Sequence, residues 1–443
     1  MALAKGMFFK QLDMTCVQSL CVLHTGQIKQ MKTLYFLFIT SYSVFCMSED
    51  WTEFRGPMGN GHSEATNLPR EWSEDQHIQW KASVEGLGWS SPVVRNDRIF
   101  LTTAIPAADG NGHSLNVVCL KAADGSEEWN TTVIQQMPDG VEMHKKNSHA
   151  SPTPVVDGEL IYVHFGPNGT ACLNTSGEIL WKNTTLSYQS QHGTGGCPAL
   201  YKDTLVICCD GKDHRFVAGL NKVDGKVKWK TDRELEPSRG FSFSTPTIIE
   251  SANRVQAVCP GSGGVWSYDV LTGEQIWRVA YGEGYSVVPR PIVAHGLVYV
   301  CSGFGDGQLI AIDPGGEGDV TKTHVKWRSK KGVPKSPSVI IVGDELYMVD
   351  DRGIASCLDA ITGDLHWQHR LKGGFSASPS YADGVIYFQN ETGQTTVIKP
   401  GTSFDEVATN NLGDGKLRTF ASFGFVGSSI LLRNETHLYR ITR

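Results

Sequence analysis

The sequence predicts an all-β protein, an eight-bladed β-propeller made of four-stranded antiparallel blades. Three observations lead to this prediction. A turn followed by a tryptophan recurs along the chain, short apolar strands open at regular intervals before those turns, and the two ends carry complementary parts of one repeat. Self-similarity at a period of about 45 residues is typical of a repeat architecture.

The turn repeat places a glycine four residues before a tryptophan. In most copies an Asp or Asn opens the turn, as in the run from Asp269 through Gly273 to Trp277. Five copies keep this spacing, with their tryptophans at Trp129, Trp181, Trp229, Trp277 and Trp367. A sixth copy, ending at Trp327, carries an insertion. One such pair would mean little, but six copies in period define a structural unit.

Each repeat opens with a short apolar strand, usually introduced by a small residue and a proline. Seven openings carry the proline, at Pro92, Pro152, Pro198, Pro246, Pro291, Pro337 and Pro379. An eighth opening, at residues 419–425, lacks it but leads to the same kind of apolar run at 430–432. Apolar runs bounded by Gly and Asp at hairpin distance indicate antiparallel strands. Eight openings therefore predict eight blades.

The two ends of the repeat region predict how the ring closes. The last repeat reaches Arg443 after its third strand, whereas residues 78–81 form a tryptophan strand with no repeat in front of it. If the strand around Trp80 completes the last blade, two exposed sheet edges disappear. We therefore expect residues 78–443 to form the propeller.

The repeated turn and tryptophan resemble the tryptophan-docking motif of the pyrroloquinoline quinone (PQQ) family of β-propellers. The resemblance covers nearly the whole chain after residue 78 and concerns the exported members of the family. It implies that each tryptophan packs between adjacent blades while the turn caps the outer edge. It does not specify a function, because the family includes quinoprotein alcohol dehydrogenases as well as the scaffold lipoprotein of outer-membrane barrel assembly.

The first 77 residues are predicted to lie outside the propeller. Residues 1–30 fit neither a signal peptide nor a blade. They form a leader that is translated only if Met1, and not Met31, is the start. Residues 31–48 read as a signal peptide, too short in its apolar part to span a membrane. We therefore expect a periplasmic or secreted protein. Residues 49–77 form an extension, which Trp51 and Phe54 should pack on the propeller as a plug at one end of the channel.

Eight cysteines follow the predicted signal peptide. Cys119, Cys172 and Cys357 occupy the same third-strand position in different blades, where disulfide geometry is rarely met. We therefore expect most of the eight to be small buried residues. The adjacent pair Cys208 and Cys209 resembles the vicinal disulfide of quinoprotein alcohol dehydrogenases, but it lies in the middle of a blade instead of a segment leading into one.

The loops before the innermost strands should surround the mouth of the central channel, where ligands commonly bind on such scaffolds. We predict a ligand-binding rim made of Trp89, Lys145, Asn147, His149, His192, Arg239, Phe241, Tyr285, Arg290, Lys335 and Arg418. Its cations predict a positive funnel that attracts carboxylates. Glu283 is the only carboxylate near these segments, and the acidic residues after second strands, such as Asp210 and Asp350, are expected toward the other face or the blade ends. We predict no catalytic residue and no metal site here.

These observations favour an exported, non-catalytic scaffold that binds a protein, peptide or glycan at its loop face. The expected partners are an envelope or extracellular protein, a peptide or an anionic glycan, and the expected state is a monomer. The alternative is a PQQ-dependent alcohol dehydrogenase, for example of the polyvinyl-alcohol type, with PQQ and Ca²⁺ in the central funnel. A net charge of −6 with 19% charged residues gives no overall attraction to nucleic acid or to a membrane surface.

Overall fold

The chain forms a ring of eight antiparallel sheets. The computed structural model describes residues 50–138, 141–413 and 415–443, so the predicted leader and signal peptide lie outside the described residues. Within these ranges, every one of the eight sheets contains the four antiparallel strands of one blade. The predicted all-β, eight-bladed propeller is confirmed. No helix in these ranges is long and apolar enough to cross a bilayer.

The strands of the first four blades follow one another in chain order. Their bounds are Val93–Arg95, Arg98–Pro106, His113–Lys121 and Glu127–Gln136 in blade 1; Val155–Asp157, Leu160–His164, Thr170–Asn174 and Ile179–Asn183 in blade 2; Ala199–Tyr201, Thr204–Asp210, Arg215–Asn221 and Val227–Asp232 in blade 3; and Thr247–Ser251, Arg254–Gly261, Gly264–Asp269 and Gln275–Ala280 in blade 4. A single-turn 3-10 helix, Gly166–Asn168, joins two strands of blade 2.

The remaining blades repeat this order. Their bounds are Ile292–Ala294, Leu297–Cys301, Leu309–Ile312 and Val325–Ser329 in blade 5; Ile340–Val342, Glu345–Val349, Ile354–Asp359 and Leu365–Arg370 in blade 6; Ser380–Ala382, Val385–Gln389, Gln394–Lys399 and Asp405–Asn411 in blade 7; and Gly424–Val426, Ser429–Arg433 and His437–Thr442 in blade 8. Two short strands add parallel pairs, His62–Ser63 beside blade 7 and Gly318–Asp319 beside blade 4.

The ring closes as predicted. The strand Ile78–Ser83 pairs antiparallel with His437–Thr442 and supplies the fourth strand of blade 8, with Lys81 opposite Tyr439. The start and the end of the propeller are therefore held in one sheet, and neither edge stays open for pairing with another chain.

Neighbouring blades are joined by the predicted tryptophan contacts. The indole N–H of Trp80 donates to Ala122 O of the next blade at 2.9 Å. Gly125 in the same turn has φ +73°, and a Cβ there would lie 2.7 Å from the Trp80 ring, so only glycine fits. Equivalent indole-to-carbonyl bonds are made by Trp129, Trp181, Trp229, Trp327 and Trp367. Trp277 instead donates to Gln256 Oε1, and the extra strand Gly318–Asp319 pairs beside it.

The hydrophobic core lies between the faces of adjacent sheets. One cluster joins Phe100 and Leu115 of blade 1 to Ile161 and Leu173 of blade 2, and all four side chains are fully buried. Equivalent clusters fill the other junctions. A blade thus buries both faces by stacking on its neighbours, which explains why its strands are apolar runs rather than alternating ones.

The eight cysteines in the described part of the chain are free, and all of these but Cys208 are buried. The predicted third-strand position lies directly opposite the docking tryptophan, as Cys119 lies opposite Trp129, and it is filled by small residues in blades 1 to 6. Cys208 and Cys209 lie in a regular antiparallel ladder with Val217 and Phe216. Consecutive side chains of a strand point to opposite faces, so this pair is not a vicinal disulfide.

Two of the eight predicted openings are wrong by two residues. The innermost strands of blades 2 and 6 begin at Val155 and Ile340. The equivalents of Ser91 in blade 1 are therefore Thr153 and Ser338, and not the Ser residues before Pro152 and Pro337. Proline is an unreliable marker of register here because it fits equally well just before a strand and in the loop that leads to it.

The segment before the propeller crosses the innermost strands. Trp51 exchanges both backbone hydrogen bonds with Val94 in blade 1 and is 1% exposed. The guanidinium of Arg55 donates to Val339 O in blade 6 at 2.9 Å, and His62 pairs with Tyr381 in blade 7. These contacts are made within or directly beside the innermost strands, beyond the loops that lead into those strands. The segment therefore covers the end of the channel opposite to those loops.

A buried histidine predicts a pH dependence of stability. Burial of the His164 side chain, which contacts Thr170 Oγ1 at 2.9 Å, lowers its pKa to about 4. Since the unfolded pKa is near 6.5, stability is complete above that value and falls as the pH drops through the folded pKa, by at most about 3 kcal/mol. We expect urea midpoints of the wild type to fall more steeply between pH 7 and 4 than those of His164→Gln. Parallel curves for the two proteins would contradict this.

Candidate functional site

The innermost strands carry a ring of hydrogen-bonding side chains around the channel, which we call the crown. Each crown residue lies two positions before the first residue of an innermost strand. The crown consists of Ser91, Thr153, Cys197, Thr245, Arg290, Ser338, Ser378 and Ser422. At seven of the eight junctions between these residues, the backbone N–H of one member donates to the side-chain oxygen or sulfur of the next, at 2.9 to 3.2 Å. The crown therefore links the blades at the channel as the tryptophans link them farther out.

The eighth junction differs because Arg290 offers no acceptor. The blades are joined there by Ser244 Oγ and Thr247 Oγ1, which donate to carbonyls of blade 5 at 2.9 and 2.8 Å. Arg290 is 6% exposed and turns its guanidinium to the N-terminal segment, where it pairs with Glu53 at 2.8 Å and donates to Phe54 O at 2.7 Å. Arg290 was predicted on the rim; the structure places it beneath the cavity as the anchor of the segment.

A cavity of about 350 Å³ lies between the crown and the loops. Phe54 of the N-terminal segment also lines it, so the cavity is closed on that side. Six residues of the predicted rim line it: Trp89, Asn147, His192, Arg239, Phe241 and Tyr285. The loops before the innermost strands, which were expected at the channel mouth, therefore do line a cavity. Whether these residues bind a ligand stays a prediction.

The other five residues of the predicted rim do not line the cavity. Lys145 points elsewhere, and its neighbour Lys146 lines the wall. His149 stacks on His113 at 4.0 Å, beside a separate small hollow. Lys335 and Arg418 lie over the rings of Phe304 and Trp89. Of the predicted rim cations, Arg239 is therefore the one that lines the cavity within the described residues.

The wall contains an arc of rings from several blades, which we call the aromatic wall. His192 meets Phe241 at 5.6 Å between centroids, Phe241 meets Tyr285 at 5.7 Å, and Tyr285 meets Phe304 at 6.4 Å. Arg239 covers the Tyr285 ring at 4.7 Å and donates to its hydroxyl at 2.8 Å. Such pairs hold the rings in fixed orientations.

Two aromatic residues of the cavity were missed by sequence reasoning. Phe420 packs on Trp89 at 4.7 Å across the junction of blades 8 and 1, and Phe304 follows the second strand of blade 5. Phe420 lies in the one opening that lacks proline, which is the signal that could have drawn attention to it. No comparable signal marks Phe304. It was missed because residues that follow second strands were expected toward the other face or the blade ends.

The prediction of a positive funnel with Glu283 as its only nearby carboxylate is wrong. Lys146 Nζ lies 2.7 Å from Glu391 Oε1 and 3.8 Å from Asp351 Oδ1, and Arg418 pairs with Glu435 at 2.7 Å. Each of these three acidic residues follows the second strand of a blade. Carboxylates in that position therefore do reach the loop face. The physical reason is the alternation of strand direction, which returns the turn between strands two and three to the same end as the loop that enters strand one.

The local environment favours the neutral form of His144. This residue lines the cavity with its ring 5.6 Å from that of His192. Burial, followed by the neighbouring His192, Lys145 and Lys146, lowers its pKa below the usual value. The neutral form of His144 is therefore favoured, and its ring offers a hydrogen-bonding and stacking surface.

The residues of the cavity do not fit PQQ with its Ca²⁺. Calcium needs six to eight oxygen ligands, including carboxylates. In residues 50–138, 141–413 and 415–443, no group of three or more His, Cys, Asp or Glu side chains is arranged to hold a metal ion. The nearest carboxylates are already bonded, Asp351 to Ser336 and Glu391 to Ser376 and Lys146. We therefore derive no step through this cofactor.

The fold and the cavity define an eight-bladed propeller of the PQQ-repeat type with a closed-ended pocket on its loop face. A family model described as outer membrane protein assembly factor BamB matches residues 115–354 and 306–403. Because these matches cover more than half of the chain, the protein belongs to this PQQ-repeat, BamB-like propeller family. The resemblance inferred from the tryptophan turns is confirmed.

Individual relatives come from both branches of the family. The outer membrane protein assembly factor BamB of Burkholderia pseudomallei is 26% identical over 301 residues, which is 66% of this chain and 68% of that protein. Methanol dehydrogenase (cytochrome c) subunit 1 of Methylorubrum extorquens is 30% identical over 157 residues, 31% of this chain but only 24% of the dehydrogenase. Quinohemoprotein alcohol dehydrogenase from Comamonas testosteroni superposes with a TM-score of 0.63 at 10% identity, covering 88% of this chain and 80% of that chain, which shows the shared fold alone.

Proposed function

We propose that this protein is an exported, non-catalytic binding scaffold that holds an apolar or aromatic segment of a partner protein or peptide in its loop-face cavity. The observation that carries the proposal is the closed-ended cavity of about 350 Å³ with rings of Trp89, Phe241 and Tyr285 in its wall. Concave sites with apolar walls and a few polar groups are the usual binding sites of proteins, with volumes of roughly 300–1,000 Å³.

The charges around the cavity favour a peptide over an anionic glycan. Lys146 and Arg418 are paired with Glu391 and Glu435, so a polyanion would have to displace these carboxylates. The alternation of signs suits a protein surface, which presents charges of both signs.

Family relationship supports a partner in the cell envelope. The relative that this chain matches over the greater length is an outer membrane protein assembly factor, whereas the match to methanol dehydrogenase spans about a quarter of that enzyme. The signal-peptide pattern in residues 31–48 agrees with export. Export and an envelope partner are therefore parts of the same proposal.

Replacing Phe241 by alanine tests the aromatic wall. We expect the affinity for a Phe-containing peptide to fall about tenfold or more, because Phe241 is packed between His192 and Tyr285 at the centre of the arc. The measurement is calorimetric titration with acetylated pentapeptides that carry one Phe, either internal or C-terminal, in a Gly-Ser background.

Phe404→Ala is the matched control, since this ring stacks on His369 at 3.8 Å outside the cavity. We expect it to bind as the wild type does. Absence of binding to every peptide, or equal affinity of wild type and Phe241→Ala, would refute the proposal. Binding of an oligogalacturonate instead would assign the cavity to an anionic glycan, and a shifted quinone absorbance with PQQ and Ca²⁺ would assign it to the dehydrogenase alternative.

A further inference from the structure

The crown contains hydroxyl groups whose hydrogens have no strong protein acceptor. Ser91, Ser378 and Ser422 each accept a backbone N–H, at 3.2, 2.9 and 2.9 Å. Their own O–H groups donate in none of the hydrogen bonds found within residues 50–138, 141–413 and 415–443. Thr153 and Thr245 also accept backbone N–H groups, and their hydroxyls lie beside the Cys197 sulfur, which is a weak acceptor.

These five hydroxyls are buried and face the cavity. Each belongs to a residue that is at most 5% exposed, and each lines the cavity wall. A hydroxyl can accept two hydrogen bonds and donate one. With one acceptor site of each oxygen occupied by the backbone, the crown presents its O–H groups to the lumen as donors.

Three serines nearer the loops show the opposite pattern. Ser336 donates to Asp351 and Ser376 to Glu391, both at 2.6 Å, and Ser151 donates to Asn147 Oδ1 at 2.5 Å. Their hydroxyl hydrogens are therefore used within the protein. Ser286 and Tyr285 also line the cavity and donate in no hydrogen bond found in the described residues, but they are partly exposed, so the buried hydroxyl donors of the cavity that lack a strong acceptor lie in the crown.

A ring of buried donors recognises an oxygen acceptor, and a charged acceptor gains most because charge-assisted hydrogen bonds are about twice as strong as neutral ones. The positive charge of Arg290 also reaches the crown. It acts to lower the pKa of the Cys197 thiol, although burial outweighs it and leaves that pKa raised. The inner end of the cavity thus suits a carboxylate.

The shape of the cavity determines how such a ligand enters. Phe54 and the Arg290–Glu53 pair close the far side, so a chain cannot thread through the channel. Only the end of a chain, or a small molecule, reaches the crown. Above the crown, the ring of Phe241 meets those of His192 and Tyr285, which leaves an aromatic surface for the group next to the carboxylate.

We infer that the crown is a carboxylate-binding site and that it takes the C-terminal carboxylate of a peptide whose last residue is aromatic. This inference rests on the proposed function and specifies which part of the partner enters the cavity. A free aromatic acid has the same chemistry, so the two sources must be separated by experiment.

Four compounds test the inference by calorimetric titration of the full-length protein. They are acetyl-Gly-Gly-Ser-Gly-Phe with a free carboxylate, the same peptide as its C-terminal amide, acetyl-Gly-Gly-Phe-Ser-Gly with an internal Phe, and 3-phenylpropanoate. We expect the free carboxylate peptide to bind at least about tenfold more tightly than the other three. The amide lacks the charged acceptor, the internal sequence lacks an aromatic residue at its chain end, and 3-phenylpropanoate lacks the peptide chain.

Variants in one blade then test the crown itself. Thr245→Val removes a crown hydroxyl, whereas Thr247→Val removes the hydroxyl two residues on, which donates to Pro291 O, accepts from Arg290 Nε at 3.3 Å and does not line the cavity. We expect only Thr245→Val to weaken the free carboxylate peptide, about fivefold or more, while leaving the amide unchanged. Cys197→Ser replaces a weak S–H donor by O–H in the same ring and is expected to tighten binding about threefold.

The outcomes separate this inference from the proposed function. If the amide and internal-Phe peptides bind as well as the free carboxylate, the crown inference fails while the binding scaffold stands. If 3-phenylpropanoate binds as tightly as the peptide with the free carboxylate, the carboxylate site is supported. The inference that a peptide C-terminus occupies it is then overturned. If no peptide binds, the proposed function fails as well. Equal effects of Thr245→Val and Thr247→Val on all compounds would reduce the crown to a structural role.

Discussion

Replacing Asp210 by alanine is expected to lower the free energy of unfolding by about 3 to 5 kcal/mol, a large part of the stability of a single domain. Asp210 holds Arg233 in a bidentate ion pair at 2.8 and 3.0 Å, and both side chains are at most 1% exposed. Without the carboxylate, Arg233 would remain as an uncompensated buried charge.

The same pair links two blades. Arg233 also donates to Cys259 O at 2.8 Å and lies over the Trp266 ring at 4.5 Å, both in blade 4. We therefore expect Asp210→Ala to weaken the junction of blades 3 and 4. The measurement is urea unfolding followed by circular dichroism.

Two further variants make this prediction specific. Asp210→Ala combined with Arg233→Met removes both charges and should recover much of the loss, because a buried pair is costly mainly when one partner is missing. Lys330→Met removes one partner of an exposed pair, with Asp306, and should change stability by less than about 1 kcal/mol. A double variant no more stable than Asp210→Ala would argue against the charge as the cause.

Replacing Arg290 by methionine is expected to destabilise the protein by about 3 to 5 kcal/mol and to release the N-terminal segment. Glu53 is the partner of this guanidinium, and burial already raises the pKa of its carboxyl against the attraction of Arg290. Without Arg290 the carboxylate must leave the interior or take up a proton. The segment then loses its anchor under the cavity.

Limited proteolysis with trypsin measures the release directly. Arg55 is 1% exposed in the folded protein, so cleavage after it should be slow in the wild type and rapid in Arg290→Met. A raised folded pKa means that stability is complete at low pH and is lost as the pH rises through that pKa. The deficit of Arg290→Met relative to wild type should therefore be smaller at pH 4 than at pH 7.

The matched double variant is Glu53→Gln with Arg290→Met. It removes both charges and should retain more stability and more protection of Arg55 than Arg290→Met alone. Unchanged cleavage at Arg55 in Arg290→Met would mean that Trp51 and the backbone bonds to Val94 suffice to hold the segment.

The ring itself could be predicted from the sequence because its contacts are local and repeated. Each blade reuses the same hairpins, and the glycine four residues before a tryptophan reports both a positive φ and a close approach of the indole from the neighbouring blade. Trp80 without a preceding blade, together with a last repeat that is one strand short, was enough to predict the closing strand.

The site could be predicted only in part. Loops before innermost strands were correctly expected at the channel mouth, which located Trp89, His192 and Phe241 in the cavity wall. The acidic residues after second strands were assigned to the wrong region, because the face on which a turn lies depends on strand direction through the whole blade. Asp351 and Glu391 consequently changed the expected electrostatics of the rim.

The sequence by itself determined the class of fold, the number of blades and the closure of the ring, since periodic local patterns encode hairpins and blade contacts. Only the tertiary structure decided that Arg290 anchors Glu53, that Lys146 is paired with Glu391 of another blade, and that crown side chains accept backbone N–H groups from the neighbouring blade. The physical reason is that these properties depend on which side chains meet across the channel. Residues such as Arg290 and Glu53 are far apart in the chain and share no spacing that a repeat could reveal.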